Sequence, residues 1–429
     1  MFGMFSALFS ANVMLFIATA YGYPVSTTHD IVGSIMGFSI AARGFDSVQW
    51  KVAVKIFISW FISPVFAGAV AAAIFATVKY AVLRSENTYQ RAYNTFPIVL
   101  TLGIGINVFY VLYKATTNFK KFQEDLELYI ILPVAFGSGA ICGLIWMFIV
   151  GPIAKRRVAA KRELRESAEA KMGKTLDNQP DSEVLADDDE EPVKGKVFDV
   201  DGEENLKAAP EAAVDGEPDK IDSLFAKFAK STYDRDLHKE TFEENTRAAE
   251  IWDEGEKYDQ DTENLFTYLQ VFTACLNSFA HGANDVSNTI GPLSAIIQIY
   301  QDGEVKKDSE VQKWVLAFGG GAIVIGLLLY GYNVMKSIGY KLTMMSPSRG
   351  FSAELGASLV VVTASFNEIP VSSTQCIVGA VFGVGLVGGL KNVQWLFLLR
   401  VMVSWVGLFL AATVLAAGIF SFGAFSPTA

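Results

Sequence analysis

The sequence has few cysteines and few histidines, and neither kind is spaced as in a metal site or a disulfide framework. Its 429 residues include three cysteines and three histidines. All three cysteines, Cys142, Cys275 and Cys376, lie inside apolar stretches without a Cys-x-x-Cys spacing, and the histidines are far apart in sequence. This pattern indicates neither a zinc site nor a set of paired disulfides.

Charged residues are also scarce, and they are unevenly distributed. They make up 19% of the chain, against about 25% in an ordinary soluble domain. The segment 153–263 carries 18 Lys and Arg against 32 Asp and Glu, a net charge of −14, whereas the rest of the chain has a net charge of +4. Outside this one polar segment the chain is too apolar for a soluble protein. The composition therefore excludes an ordinary cytosolic enzyme, a nucleic-acid-binding protein and a disordered hub.

Apolar runs long enough to cross a bilayer lie on both sides of the polar segment. A spanning helix needs about 20 mostly apolar residues. The candidate spans are 4–21, 53–82, 96–113, 129–150, 265–279, 314–332, 351–366 and 396–420. Two shorter, glycine-rich runs, 31–40 and 377–390, are typical of discontinuous helices around a binding site in the membrane. The sequence thus predicts an all-α, multi-pass membrane protein.

The polar segment divides the chain into a first membrane unit (1–152), a loop (153–263) and a second membrane unit (264–429). The loop opens with Lys155-Arg156-Arg157, and basic residues close to a membrane helix mark the cytosolic side. It continues with the acidic run 187–191 and few large apolar residues, a composition that does not fold by itself. We expect a largely disordered, acidic cytosolic loop that joins the two membrane units, with a regulatory loop as the alternative.

The two membrane units contain copies of one sequence. Ten residues around a Pro-Val-Ser motif recur at an offset of 346, and later matches recur at an offset of 345. The matched segments are 24–33 with 370–379, 48–50 with 393–395, and Ser59-Trp60 with Ser404-Trp405. Secondary transporters often contain repeats of inverted orientation. We therefore expect two inverted repeats with discontinuous half-helices that meet at a midplane site.

One motif, Gly-Ala-Asn-Asp-Val-Ser-Asn at 282–288, occurs in the second copy alone. It begins 88 residues before Pro370, so its counterpart in the first copy is expected upstream of Met1. We therefore expect the first repeat to be truncated at its N-terminus, with degeneration of that half as the alternative.

Each Pro-Val-Ser motif predicts the start of a half-helix that binds an anion. Pro is favoured where a helix begins, and Ser and Thr cap helix N-termini. The first turn presents unpaired backbone N–H groups and the positive end of the helix dipole. Hydroxyls both donate and accept hydrogen bonds, as a protonated phosphate requires, and neither motif contains Lys or Arg. The six hydroxyl residues are Ser26, Thr27, Thr28, Ser372, Ser373 and Thr374.

The 282–288 motif offers hard oxygen ligands inside a membrane unit. An ionisable group among membrane helices is costly and marks a functional site by default. Asp285 and Asn288 have helical i, i+3 spacing, and Asn284 is adjacent; this set suits a small alkali cation better than a transition metal. A carboxylate beside an anion repels it unless a cation lies between them, so we expect co-bound Na⁺ or a proton on Asp285, with reciprocal coupling. A structural pairing of Asp285 with a basic residue is the alternative.

Four further residues are candidates for gating or coupling: His29, Gln375, Arg349 and Glu354. His29 is replaced by Gln375 in the second copy, so we expect a plain hydrogen-bonding role rather than an essential titration. Arg349 and Glu354 are gating or structural residues. Ser26 and His29 are helical neighbours, but Gln375 and the absence of a nucleophile elbow argue against an intramembrane hydrolase.

The segments 282–293 and 346–351 and both Pro-Val-Ser motifs resemble the inorganic phosphate transporter (PiT) family of type III sodium-dependent phosphate cotransporters. The resemblance covers both membrane units but not the polar loop. It implies a dimeric, all-helical, inverted-repeat carrier that moves phosphate with Na⁺, or with H⁺ in some relatives. It adds Asn284 and Asp285 to the hydroxyls as phosphate ligands. The sodium ligands it implies are Asp285, Asn288, Asn284, Ser26 and Ser372.

We therefore expect a Na⁺-coupled phosphate symporter, and not an enzyme, in the lipid of the plasma membrane. The expected partners are inorganic phosphate, Na⁺ and a second copy of the chain, with no nucleic acid and no cofactor beyond the co-transported ion. Three alternatives stay open: H⁺ coupling, sulfate as substrate, and a non-transporting phosphate sensor or partner subunit, because the first copy of the 282–288 motif is absent.

Overall fold

The computed structural model describes residues 1–118, 128–177, 241–242, 245–305, 311–367 and 369–426. Over these residues regular structure is helical apart from an isolated antiparallel bridge between Thr343 and Val393. Six helices are long and apolar enough to cross a membrane. The predicted all-α, multi-pass membrane architecture is therefore confirmed. Residues 178–240, the middle of the predicted disordered loop, lie outside the described residues.

The described helices follow the apolar pattern of the sequence. They are α1 (Phe2–Ala20), α2 (Thr27–Arg43), α3 (Trp50–Val78), α4 (Thr88–Asn118), α5 (Leu128–Ile145), α6 (Gly151–Asp177), α7 (Thr246–Glu254), α8 (Gln260–Asp302), α9 (Lys313–Tyr340), α10 (Pro347–Phe366), α11 (Ser373–Gly388) and α12 (Trp395–Phe425). Short π-helical turns, Lys79–Leu83 and Trp146–Val150, extend α3 and α5. Each predicted apolar run lies within one of these helices and its extension, except that the runs 4–21 and 377–390 continue one or two residues past α1 and α11.

The two ends of the polar loop are helical. α6 continues the chain past the predicted boundary at residue 152 and belongs to a separate compact unit, 152–233, of which it is the described part. α7 lies near the other end, where the side chain of Asn245 caps it by accepting a hydrogen bond from the N–H of Ala248 at 3.1 Å.

The sequence repeat is also a repeat of local structure. In each copy a long helix (α1 or α10) ends four residues before the motif proline, a half-helix follows (α2 or α11), and a 3₁₀ turn leads into another long helix (α3 or α12). Trp50 and Trp395 begin these last helices. Their Nε1 atoms donate to the carbonyl oxygens of Phe45 and Leu390, both at 3.0 Å. The same bond therefore closes the same turn in both copies, while their inverted orientation stays a prediction.

Each half-helix packs against the long helix of the other copy, α2 on α12 and α11 on α3. Glycines allow this approach. A Cβ added at Gly37 would collide with the carbonyl oxygen of Thr413, and one added at the equivalent Gly383 would collide with that of Gly68. Small residues let membrane helices come this close. The exchange of partners between the copies is what directs the two half-helices toward a common site.

Candidate functional site

Both half-helices begin at the serine of their Pro-Val-Ser motif. Ser26 has an extended backbone, and its Oγ accepts a hydrogen bond from the N–H of His29 at 3.3 Å. Ser372 is also extended, and its Oγ accepts from the N–H of Gln375 at 3.2 Å. These bonds satisfy one of the N–H groups that every helix leaves unpaired at its start. The predicted serine caps are present in both copies.

The N-terminal ends of the two half-helices meet in the interior of the membrane unit. Oγ1 of Thr28 donates to the carbonyl oxygen of Val371 at 3.4 Å, which joins the first motif to the second. Five of the six motif hydroxyl residues are buried, with Ser26 only 1% exposed and Thr374 8% exposed, and Thr27 is half-buried. Both ends carry a positive dipole and N–H groups without an intrahelical partner. Their meeting makes a positive site to which the motifs contribute no lysine or arginine.

α8 reaches the first motif through an asparagine. Nδ2 of Asn288 donates to Oγ1 of Thr27 and to Oγ1 of Thr28, both at 3.1 Å. α8 runs without interruption through the 282–288 motif, so Asn288 lies one turn beyond Asn284 and Asp285 on the same side of the helix. The structure therefore brings the predicted amide and hydroxyl ligands into direct contact.

α8 reaches the second motif through the neighbouring carboxylate and amide. Oγ of Ser373 donates to Oδ1 of Asp285 at 2.8 Å. Nδ2 of Asn284 lies 3.1 Å from that same Oδ1 and 3.1 Å from the carbonyl oxygen of Val371. The structure thus joins residues from three separate parts of the sequence into one polar cluster that contains both hydroxyl motifs.

The carboxylate of Asp285 has another partner that sequence reasoning missed. Nε2 of His281, one turn earlier on α8, lies 2.7 Å from Oδ2 of Asp285. The i, i+4 spacing of the two residues was the signal that could have identified the pair. Asp285 therefore joins Ser373 through one oxygen and His281 through the other. The structural alternative, a basic partner for Asp285, is thus present in the same cluster as the predicted ligands.

His29 and Gln375 hydrogen-bond to each other between the two copies. The Nε2 atoms of the two side chains lie 3.2 Å apart, and both residues are buried. The imidazole also stacks on the indole of Trp60 on α3, with ring centroids 3.6 Å apart. These contacts agree with a hydrogen-bonding role for the pair.

Arg349 and Glu354, the other two gating candidates, bond to other partners. Nη2 of Arg349 donates to the carbonyl oxygen of Glu256 at 2.7 Å, and its guanidinium lies over the ring of Tyr258 at 5.1 Å. Oε2 of Glu354 accepts from Oγ1 of Thr273 at 2.7 Å. Arg349 therefore joins the start of α10 to the loop before α8.

Glu256 lies in that loop, outside the membrane-spanning helices, and bridges two cations. Its Oε2 is 2.8 Å from Nζ of Lys79, and its Oε1 is 2.9 Å from Nη2 of Arg84. Partial burial raises the pKa of Glu256, but the hydrogen bonds and charges of Lys79 and Arg84 outweigh it and hold the pKa below its usual value. Lys79 is itself buried, so this carboxylate is the counter-charge that makes its burial tolerable.

The arrangement defines a class of protein. Two half-helices from repeated units direct their N-termini at one buried cluster, and an ionisable side chain lies among the membrane helices. This is how secondary transporters build their binding sites.

The comparisons with known proteins identify the family within that class. The model of the phosphate transporter family matches residues 1–420, and the chain belongs to this family. The phosphate-repressible phosphate permease pho-4 of Neurospora crassa is 31% identical over 94% of this chain and 80% of its own length. The sodium-dependent phosphate transporter 2 of Xenopus laevis is 28% identical over 99% of this chain and 85% of its own length.

A solved structure supports the same assignment. The structure described as the sodium-dependent phosphate transporter aligns with a TM-score of 0.66 at 25% identity, covering 99% of this chain and 80% of that one. The family resemblance predicted from the sequence motifs is confirmed, and the chain is an integral membrane protein.

Proposed function

We propose that the chain is a secondary carrier that moves inorganic phosphate together with Na⁺. The observation that supports this most strongly is the bond from Ser373 to Asp285, which places a carboxylate against the positive end of a half-helix. A carboxylate and a phosphate repel each other at one site, so a cation must lie between them or a proton must neutralise the carboxylate. Membership of the phosphate transporter family and similarity to proteins named sodium-dependent favour Na⁺.

Phosphate binds in this proposal through dipoles and hydroxyls. The hydroxyls accept from the protonated phosphate oxygen and donate to the others, while backbone N–H groups at the two half-helix starts face the anion. The proposed ligands are Ser26, Thr27, Thr28, Ser372, Ser373, Thr374, Asn284 and Asp285. With no lysine or arginine in either motif, the anion is not held by a fixed cation, so its affinity depends on the cation that accompanies it.

Na⁺ binds through the hard oxygen atoms of the same cluster. In the bonds described above Asn284 and Asn288 use their Nδ2 donors, which leaves the amide oxygens to face a cation. We assign Na⁺ to the oxygens of Asp285, Asn288, Asn284, Ser26 and Ser372. Carboxylate, amide and hydroxyl oxygens are the ligand types that hard cations prefer.

Coupling follows from the shared site. If Na⁺ raises the affinity for phosphate, phosphate raises the affinity for Na⁺ by the same factor. The Na⁺ gradient then drives uptake, and each net positive charge that crosses with the substrate adds about 2.3 kcal/mol per 100 mV of membrane potential.

We further propose a plasma-membrane homodimer with segment 153–263 on the cytosolic side. Lys155, Arg156 and Arg157 follow the apolar run 129–150, and basic residues at such positions favour the cytosol. The dimer and the choice of membrane rest on the family resemblance.

Uptake by the purified 429-residue chain in proteoliposomes tests the function. We expect the wild type to accumulate labelled phosphate under an inward Na⁺ gradient and not under a K⁺ gradient. Asp285→Asn should abolish Na⁺-dependent uptake without loss of protein from the membrane, whereas Asp46→Asn, on an exposed turn, should not. Wild-type uptake by Asp285→Asn would contradict the site. Uptake driven by a pH gradient without Na⁺ would replace Na⁺ by H⁺, and full competition by sulfate would overturn phosphate as the specific substrate.

A further inference from the structure

The repeated Ser-Trp pairs on α3 and α12 hold the two motif prolines in different ways. Nε1 of Trp405 donates to the carbonyl oxygen of Pro24 at 2.8 Å in a buried bond. The equivalent proline, Pro370, accepts instead from Oγ of Ser59. The repeat equivalent of Ser59 is Ser404 and not Trp405. One copy therefore uses the tryptophan of its pair and the other copy uses the serine.

The remaining member of each pair does not bond a motif proline. Nε1 of Trp60 is buried and has no hydrogen-bond partner in the described part of the chain. The hydroxyl of Ser404 donates to the carbonyl oxygen of Val401 in its own helix, at 2.7 Å. The hydroxyl of Ser59 has the equivalent contact with Ile56, also at 2.7 Å, so the contact with the proline is what differs between the two serines. A buried N–H without a partner is unfavourable. The observed state thus leaves unsatisfied the same indole donor that the other copy satisfies.

The two bonds require different distances between backbones. An indole N–H lies farther from its backbone than a serine hydroxyl does, because four bonds rather than two separate the donor atom from Cα. A proline held by serine must therefore lie nearer to the helix that holds it than a proline held by tryptophan. Pro370 is accordingly close to α3, and Pro24 is farther from α12.

The packing of the half-helices shows the same asymmetry independently. A Cβ added at Gly379 of α11 would collide with the carbonyl oxygen of Pro64 on α3. A Cβ added at the equivalent Gly33 of α2 would lie 2.7 Å from the carbonyl oxygen of Phe409 on α12, a wider approach. One turn farther along, Gly37 of α2 and its equivalent Gly383 of α11 approach their partner helices equally closely. The motif end of α2 therefore lies farther from its partner helix than the motif end of α11.

We propose that the two Ser-Trp pairs are positioning residues for the hydroxyl motifs, and that they exchange roles when the carrier changes the side to which its site opens. In the opposite state Trp60 donates to Pro370 and Ser404 donates to Pro24. Each state then makes one Trp-to-Pro bond and one Ser-to-Pro bond, so the two states have the same set of contacts with the copies interchanged. The inference rests on the proposed transport function, because a carrier needs two such states.

The matched variants Trp405→Phe and Trp60→Phe test this inference, since each keeps an aromatic ring and removes one N–H. Because a complete cycle visits both states, we expect each variant to lower Na⁺-driven phosphate uptake by about two- to tenfold, the effect of one hydrogen bond. Hydrogen–deuterium exchange of the full chain distinguishes them. Exchange at residues 24–30 should rise in Trp405→Phe, which loses a bond of the observed state, and should stay at or below the wild-type value in Trp60→Phe.

Several results would overturn the inference. Wild-type uptake by Trp60→Phe would show that the pairs do not exchange roles. Raised hydrogen–deuterium exchange at residues 24–30 in that variant would show that Trp60 has a packing role alone. Wild-type exchange in Trp405→Phe would show that its bond does not position the first motif.

Ser404→Ala is a second variant with a smaller structural change. It should slow uptake while leaving hydrogen–deuterium exchange at residues 24–30 unchanged, since the hydroxyl of Ser404 bonds to Val401 in the observed state. Wild-type uptake by Ser404→Ala would count against the exchange of roles between the two pairs. If the wild type shows no Na⁺-driven uptake, the proposed function is wrong, whereas the exchange measurement still decides the role of the Trp405 bond.

Discussion

Replacing Gly37 by alanine tests the packing that places the half-helices. The added Cβ would collide with the carbonyl oxygen of Thr413 on α12. A backbone oxygen cannot rotate away as a side chain can, so α2 and α12 must separate. Overpacking of this kind costs about 1–3 kcal/mol. The substitution also gains about 0.8–1 kcal/mol of helix propensity, so the net effect is a loss of stability of up to about 2 kcal/mol.

Gly418, which lies on α12, provides the matched control. A Cβ at Gly418 meets nothing within 4 Å, so Gly418→Ala should gain propensity without a clash and stabilise the protein by up to about 1 kcal/mol. The two variants therefore differ in sign. We expect Gly383→Ala to behave like Gly37→Ala, because Gly383 makes the equivalent approach in the other copy.

The measurement is the thermal unfolding midpoint of the purified chain in one lipid environment. The midpoint should fall for Gly37→Ala and Gly383→Ala and should hold or rise for Gly418→Ala. A Gly37→Ala variant as stable as Gly418→Ala would refute the close contact between α2 and α12, and with it the placement of the first hydroxyl motif.

Two further predictions concern polar contacts. Ser373→Ala removes the hydroxyl that donates to Asp285 at 2.8 Å. A bond to a charged group contributes about 1.5–3 kcal/mol, so the phosphate concentration for half-maximal Na⁺-driven uptake should rise about tenfold or more. An unchanged value, equal to that of the control Ser39→Ala, would contradict the site. The lowered pKa of Glu256 means that its stabilisation is present above its unfolded pKa of about 4.3 and is lost as pH falls through the folded value. Glu256→Gln leaves Lys79 without its counter-charge and should therefore lower the unfolding midpoint at neutral pH. The midpoint of this variant should then fall less on acidification than the wild-type midpoint does. Parallel plots of midpoint against pH for variant and wild type would argue against this ion pair.

The half-helices could be predicted from the sequence because their signals are local. A proline, a capping serine and a glycine-rich run lie within twenty residues in each copy, and the repeat marks both as one unit. The extent of α8 could not be predicted in the same way. The apolar run ends at 279, yet the helix continues through Asn284 and Asp285 to Asp302. The hydrogen bonds that these polar residues make to the half-helices are tertiary contacts, and hydropathy within one window does not report them.

The members of the candidate site could be predicted from the sequence, but their pairing could not. Ser373 lies 88 residues from Asp285, and which of six hydroxyls meets the carboxylate depends on how α8 crosses the half-helices. The role of Arg349 was inaccessible for the same reason, since its partner is a carbonyl oxygen in the loop at Glu256. His281 was accessible, because its spacing from Asp285 is that of neighbours on one helix face.

The contact between His29 and Gln375 adds a constraint to the proposed exchange of states. The two residues are repeat equivalents, and if the two copies are inverted as predicted, a residue that touches its own equivalent lies beside the axis that relates them. A bond on that axis has the same position in both states, whereas bonds away from the axis, such as those of Trp405 and Ser59, change places. In the proposed exchange of roles, the half-helix starts therefore stay together at this axis while α3 and α12 change their distance from them. This fits the general mechanism in which one repeat moves against the other around a fixed binding site, and it explains why the hydroxyl motifs are placed directly beside the His29–Gln375 bond.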